Sequence, residues 1–338
     1  MPSRPFTRDW TPNTKFGVLA LDNCLELAIT APLKLSESAT IYPYCPVAFP
    51  DHWREWLGTL QTAAFEKASL AIVVERPSKT PHDLDHEIHE IDLELRAHFC
   101  GILLNGIPDY RDGLVAIGGV NEKAELAITQ VRRLHTAYRH EFGKRLTIDG
   151  EVVQISSAIG AVVLDLHSNK QYRRVRAGFK ALVRAIEEFL PEERLHQYVR
   201  SVDGLTMLPK GKGEEQFIVR AQTFATGDKL PMVLQELYRL RNAQEHLNEI
   251  RAVIVANSDQ EAWRLISLRG YQAEQLALAA YRRLLTTPEL LARFESDEST
   301  AAFWNLSVGE RCIVWGEPFD LDQAEKDHEK RFNLLKTY

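Results

Sequence analysis

The period of the apolar positions changes part-way along the chain. Up to about residue 149, short apolar runs alternate with breaks. Phe16 to Leu21 and Leu25 to Ile29 read as strands, and Pro32, Pro43, Pro46 and Pro50 then interrupt the chain, so loop with short strands is expected there. Asp51 is placed to cap a helix over 52–67 with Trp53, Trp56, Leu57 and Leu60 on one side. Leu70 to Glu75 reads as a strand that ends at Arg76 and Pro77. Leu84, Ile88, Ile91, Leu95, Phe99 and Ile102 recur at 4-3-4 spacing, which predicts an amphipathic helix over 83–103 stopped by Gly106 and Pro108. Residues 114–120 and 126–134 read as further strands.

From Asp149 onward the period is helical. Val152, Ile155, Ile159, Val162 and Leu166 mark one helix, and Val175, Phe179, Leu182, Val183, Ile186 and Leu190 mark the next, stopped by Pro191. Further helices are predicted over 192–208, 214–224, from Pro231 past His246, over 259–285, and over 288–294. Loops fall at 209–213 and 227–230, and a charged helix over 322–336 follows Val314 and Trp315. The pattern predicts an α+β protein: a mixed α and β domain over 1–149, a helical bundle over 150–310, and a charged tail over 311–338.

Composition narrows the class. Hydrophobic residues make up 45% and charged residues 26% of 338, which suits an ordinary globular chain with a core of its own. Cys24, Cys45, Cys100 and Cys312 are scattered, with neither a zinc ribbon nor a disulfide framework, as in a reducing cytoplasm. No signal peptide or membrane-length apolar run is read. The net charge of −6 lacks the basic excess of a constitutive nucleic-acid binder. Residues 151–310 carry 20 Lys and Arg against 21 Asp and Glu, and the remainder 21 against 26, so the second part is near neutral and has room for a local basic cleft.

Candidate chemistry centres on the helix that runs through Leu237, Tyr238, Arg239, Leu240, Arg241, Asn242 and His246. Asn242 and His246 are four residues apart and share a helical face, with Arg241 beside them. A permanent cation next to a group that titrates near neutrality is what cleavage of a phosphodiester without a metal requires. Looser Arg-to-His spacings also occur from Arg76 to His82 and from Arg133 to His140, the first interrupted by Pro77 and Pro81. The bland alternative is a solvated helical face with an i,i+4 contact. His82, His86 and His89 with Asp85, Glu90 and Asp92 read first as a polar face and second as a zinc site, and they lack the His-Glu-x-x-His order. Lys210, Gly211, Lys212 and Gly213 lack the Walker order and read as a basic inter-helix turn able to touch RNA backbone. No Gly-x-Ser-x-Gly is present, and no cysteine has an evident histidine partner.

Residues 150–305 resemble a HEPN domain (higher eukaryotes and prokaryotes nucleotide-binding), closest in texture to the ApeA-type members of bacterial defence proteins. The resemblance rests on the order of several stretches. Tyr198 to Leu205 carries an acidic residue before a Gly-Leu pair, and Phe217 to Ala221 has the order Phe-x-x-Arg-Ala. Arg241-Asn242 followed by His246 matches the family signature Arg-x4–6-His. Tyr281 to Leu285, Leu290 to Phe294 and Ala302 to Trp304 resemble the closing helices. Two positions depart from the family: Leu247 stands where Gly is frequent after the His, and Asp203 where Glu is common. The resemblance implies a ribonuclease that uses no metal and no cofactor, with Arg241 and His246 catalytic and Asn242 and Asp203 supporting. Lys210, Lys212 and Arg239 would contact RNA, and a two-fold homodimer would pair two signature helices in one cleft. The products would carry 2′,3′-cyclic phosphate, and a prokaryotic toxin or anti-phage effector is the implied setting. The first domain would receive a regulatory ligand or protein. A HEPN-like nucleotide-binding or dimerisation scaffold without catalysis is the alternative.

Overall fold

A computed structural model describes residues 10–141, 143, 145–208 and 211–335. The protein is α+β. Met1–Thr136 with Arg145–Asp165 form one compact unit, and Ala137–Lys144 with Leu166–Tyr338 form the other.

The first unit is built on β1 (Thr14–Asp22), β2 (Leu33–Lys34), β3 (Ala39–Tyr42), α1 (Asp51–Lys67), β4 (Ala68–Pro77), α2 (His86–Asn105), β5 (Asp112–Val120), β6 (Leu126–Arg133) and α3 (Gly150–Ser168). The strands form one antiparallel sheet in the order β2-β3-β4-β1-β5-β6. Every residue of central β1 is buried, which is why its sequence runs apolar without alternating. Phe16, Val18 and Ala20 face a core with Phe49, Leu57 and Phe65. On the other face α2 lies so close that a Cβ on Gly17 would stand 2.4 Å from Ile91 and 2.8 Å from Leu95.

Several expectations need correction here. Leu25 to Ile29 is not a strand; Leu27 makes only an isolated bridge to Ile148. Pro50, not Asp51, is the N-cap of α1, and no side chain caps it. Gly58 lies at φ 73°, outside helical space, and breaks α1 into two pieces. The break divides the expected stripe: Leu57 and Phe65 are buried, whereas Trp56 and Leu60 are exposed. α2 starts at His86, with Asp85 as its N-cap, whose carboxylate accepts from the Glu87 N–H. Leu84 precedes the helix and is exposed, while Ile88, Ile91, Leu95, Phe99 and Ile102 are buried as the spacing predicts. The change of texture near 149 is not where the units divide. Gly101 of α2 would place a Cβ 2.4 Å from the Ser156 carbonyl oxygen, and Gly160 of α3 would place one 2.4 Å from His98 Nδ1, so α3 packs on α2.

The second unit holds α4 (Arg173–Glu187), α5 (Pro191–Thr206), α6 (Gly213–Ala221), β7 (Ala225–Thr226), α7 (Leu230–Glu245), α8 (Asp259–Thr286), α9 (Pro288–Leu291), α10 (Asp297–Asn305), α11 (Val308–Trp315), β8 (Phe319–Asp320) and α12 (Leu321–Leu335). The core gathers Leu182, Tyr198, Leu237, Ala277 and Tyr281, all essentially inaccessible. The charged helix expected over 322–336 is α12, and the segment that leads to it packs on the rest of the unit. Trp315 is buried against Phe224 at 4.4 Å between ring centroids, β8 pairs in parallel with β7, and Leu321, Ala324 and His328 of α12 are buried. No helix of the described residues is long and apolar enough to cross a membrane.

Candidate functional site

The site is assembled between α5 and α7. On α5, Glu193, His196, Arg200 and Asp203 recur at 3-4-3 spacing and so line one face. On α7, Leu234, Leu237 and Leu240 bury the apolar face and leave Arg241, Asn242, Gln244 and Glu245 for polar contacts. The two polar faces meet. Gln244 Nε2 donates to Glu193 Oε1 at 2.6 Å, and His196 Nε2 donates to Glu245 Oε2 at 2.7 Å. The hydrogen bond from His196 holds the Glu245 carboxyl below its ordinary range, helped by Arg241 and Arg200.

Arg241 is the anchor of this face. Its Nη2 donates to Asp203 Oδ2 at 2.5 Å, its Nη1 donates to Asn242 Oδ1 at 2.7 Å, and its guanidinium lies 5.0 Å from the centre of the Tyr238 ring. Its side chain is 16% exposed and that of Asp203 is 21%. Asp203 Oδ1 also accepts from the Thr206 hydroxyl at 3.1 Å, so the carboxylate that orients Arg241 is itself oriented. Arg220 donates to the carbonyls of Thr206 and Met207 at 2.7 and 2.6 Å, closing the α5 C-terminus one turn beyond Asp203. This accounts locally for Arg in the Phe-x-x-Arg-Ala stretch.

His246 departs from the expected placement. It is the C-cap of α7, not a helical residue, and Leu247 turns the chain at φ 55°. The turn is closed by Asn248 N–H to the Ala243 carbonyl at 2.8 Å and by Leu247 N–H to the Gln244 carbonyl at 3.2 Å, the two bonds of a Schellman end. The His246 ring is exposed and lines a shallow cleft with Arg239, Asn242, Asn248 and Glu249. Asn242 and His246 therefore share a surface, whereas Arg241 is directed to α5, and Asn242 is tied to Arg241. The left-handed turn falls where HEPN sequences favour glycine. Leu247 pays a backbone strain of about 1 kcal/mol there and, at 92% exposed, recovers nothing by burial. Leu247→Gly is expected to raise stability by about 1 kcal/mol, read as a higher melting temperature; an unchanged or lower value would contradict the strain.

Of the residues expected to touch RNA, Arg239 is half-exposed at the cleft and paired with Glu214 at 2.9 Å. Lys212 is exposed before α6, away from that cleft's lining, and Lys210 lies outside the described residues. His82 precedes α2 and does not continue a face with His86 and His89. No group of three His, Cys, Asp or Glu that could hold a metal ion occurs among the described residues. Sequence reading missed His196 and Glu245. The signal for His196 was present as the polar stripe 193–196–200–203, seven residues and two turns ahead of Asp203. Compared with protein-family models, with curated proteins and with solved structures, the chain matches none of them.

Proposed function

We propose that the protein is an endoribonuclease of the HEPN type that needs no metal. One observation carries this reading. Arg241 is held rigidly by Asp203 and Asn242, and the exposed His246 follows it by five residues at the rim of an open cleft. In the proposed reaction the RNA 2′-oxygen bonds to its own phosphorus and the P–O5′ bond breaks. His246 takes the 2′-hydroxyl proton, and the leaving 5′-oxygen receives a proton from a second imidazole. A second copy related by a two-fold axis supplies that imidazole and a second guanidinium, because one chain presents a single exposed His at this cleft. The cytoplasm of a prokaryote, in a toxin or anti-phage role, is the setting this reading implies, with the sheet unit receiving a regulatory ligand or protein.

Incubation of the full chain with RNA in excess chelator tests the reading. Cleavage with 2′,3′-cyclic phosphate ends, at a rate that rises with the dimeric fraction in sedimentation, is expected. Absence of cleavage across structured and single-stranded RNAs would overturn it. A non-catalytic scaffold is the second reading, and the burial of Arg241 favours it: a guanidinium 16% exposed and locked to Asp203, Asn242 and Tyr238 serves α5–α7 packing without any substrate.

A further inference from the structure

The helical unit contains a second concavity, unrelated to the cleft at His246. It has a volume of about 540 Å³, within the usual span for small-molecule sites. Aromatic side chains are exposed at its rim: Phe189 is 68% and Trp263 46% exposed, Phe189 meets the Tyr138 ring edge-on at 5.5 Å, and Arg251 lies over the Trp263 ring at 4.4 Å. Exposed aromatic side chains grouped at the entrance of a cavity mark a binding surface more often than chance exposure does.

The polar floor is unusual. Arg194 is 8% exposed, and its electrostatic neighbours His140, Tyr198 and Glu274 all line the same cavity, which places its guanidinium there. Of its five N–H donors, among the described residues one bond is made, from Nη1 to the Arg139 carbonyl at 3.2 Å, and no carboxylate lies within ion-pair distance. A buried cation without a counter-ion is costly. Glu274 is a poor one, because burial pushes its carboxyl up to about 7. Nor does Glu274 ask for a cationic ligand. Its oxygens already accept from the His140 N–H at 3.1 Å, the Tyr198 hydroxyl at 3.2 Å and Gln275 at 3.2 Å.

We infer that this cavity binds a flat aromatic molecule bearing one carboxylate, with the carboxylate on Arg194 and the ring among Phe189, Trp263 and Tyr138. A guanidinium with unused N–H groups offers the planar donor fork that a carboxylate accepts. The lining also carries Arg139 and Arg264 with Glu141 and Glu192, but Arg194 is its one buried arginine, so a single anionic charge matches it and the second charge of a dianionic phosphate meets no further buried arginine. The inference stands apart from RNA cleavage and survives if that reading fails.

Isothermal titration of the full-length protein with 2-naphthoate, 2-naphthyl phosphate and the uncharged isostere 2-naphthamide tests it. Naphthoate is expected to bind one per chain, at least about 10-fold more tightly than naphthamide, a difference of about 1.4 kcal/mol, and more tightly than the phosphate. Arg194→Met is expected to abolish the preference for the anion while leaving naphthamide binding unchanged. Trp263→Ala, on the half-exposed rim, is expected to weaken both ligands and keeps the location testable if the Met variant does not fold. Equal binding of naphthoate and naphthamide by the native protein, no binding of either, tighter binding of the phosphate, or an anion preference that persists in Arg194→Met would each overturn the assignment.

Discussion

Alanine at position 246 is expected to lower RNA cleavage by about 10²–10⁴-fold, the usual loss when a general acid–base group is removed, with no change in melting temperature. The two halves of this expectation have separate causes. His246 is exposed, its side chain makes no hydrogen bond among the described residues, and its backbone sits at φ −99°, which alanine adopts freely. Arg241→Ala is expected to behave differently. It removes the charge the reaction requires and also strands Asp203, whose carboxylate would keep only the Thr206 hydroxyl among its side-chain partners. A partly buried carboxylate left without its cation costs about 1–3 kcal/mol, so this variant should lose both activity and stability. Initial rates on end-labelled RNA, with thermal denaturation of each variant, separate the two readings. Cleavage by His246→Ala at the native rate would sink the catalytic assignment. Loss of stability in Arg241→Ala with no cleavage by any form, the native one included, would leave the scaffold.

The sheet of the first unit was legible because β1, β4 and β5 are runs of apolar residues long enough to be covered on both faces. The spacing of α2 was equally direct from Ile88 to Ile102. Failures arose where a single backbone conformation decides the outcome. Gly58 at φ 73° redirects α1 and exposes Trp56 and Leu60, which a continuous helical wheel cannot express. Leu247 at φ 55° ends α7 one residue before His246, and a leucine gives no warning of a left-handed turn. The side to which α3 packs was not legible either. Its own period is that of any amphipathic helix; Gly101 and Gly160 admit the close approach of α2, and that is a pairwise property of two distant stretches. The candidate site divides the same way. Asp203 as a support for Arg241 came with the HEPN resemblance, whereas His196 with Glu245 depended on knowing that α5 faces α7.

The close approach of α4 to α5 depends on two glycines, and the second large effect is expected there: Gly178→Val should lower the stability of the helical unit by about 3 kcal/mol. Glycine within a helix costs about 1 kcal/mol relative to alanine, yet Gly178 of α4 and Gly204 of α5 stand opposite each other. A Cβ on Gly204 would lie 2.8 Å from the Gly178 Cα, and one on Gly178 would lie 1.9 Å from Tyr281 Oη and 2.7 Å from the Ser201 carbonyl oxygen. Tyr281 is fully buried, and its hydroxyl donates to that same carbonyl at 3.0 Å. A valine here must separate α4 from α5 and displace the Tyr281 hydroxyl, leaving buried polar groups unpaired. For a unit of this size the expected fall in melting temperature is about 10 °C. Gly309→Ala is the control, since no atom lies within 4 Å of a Cβ there and a helical alanine should be neutral or stabilising. An unchanged melting temperature for Gly178→Val would mean that the helices do not cross this closely. Because Asp203 adjoins Gly204, a shift of α5 also withdraws the carboxylate from Arg241, so under the ribonuclease reading the same variant should cleave RNA more slowly even at temperatures where it remains folded.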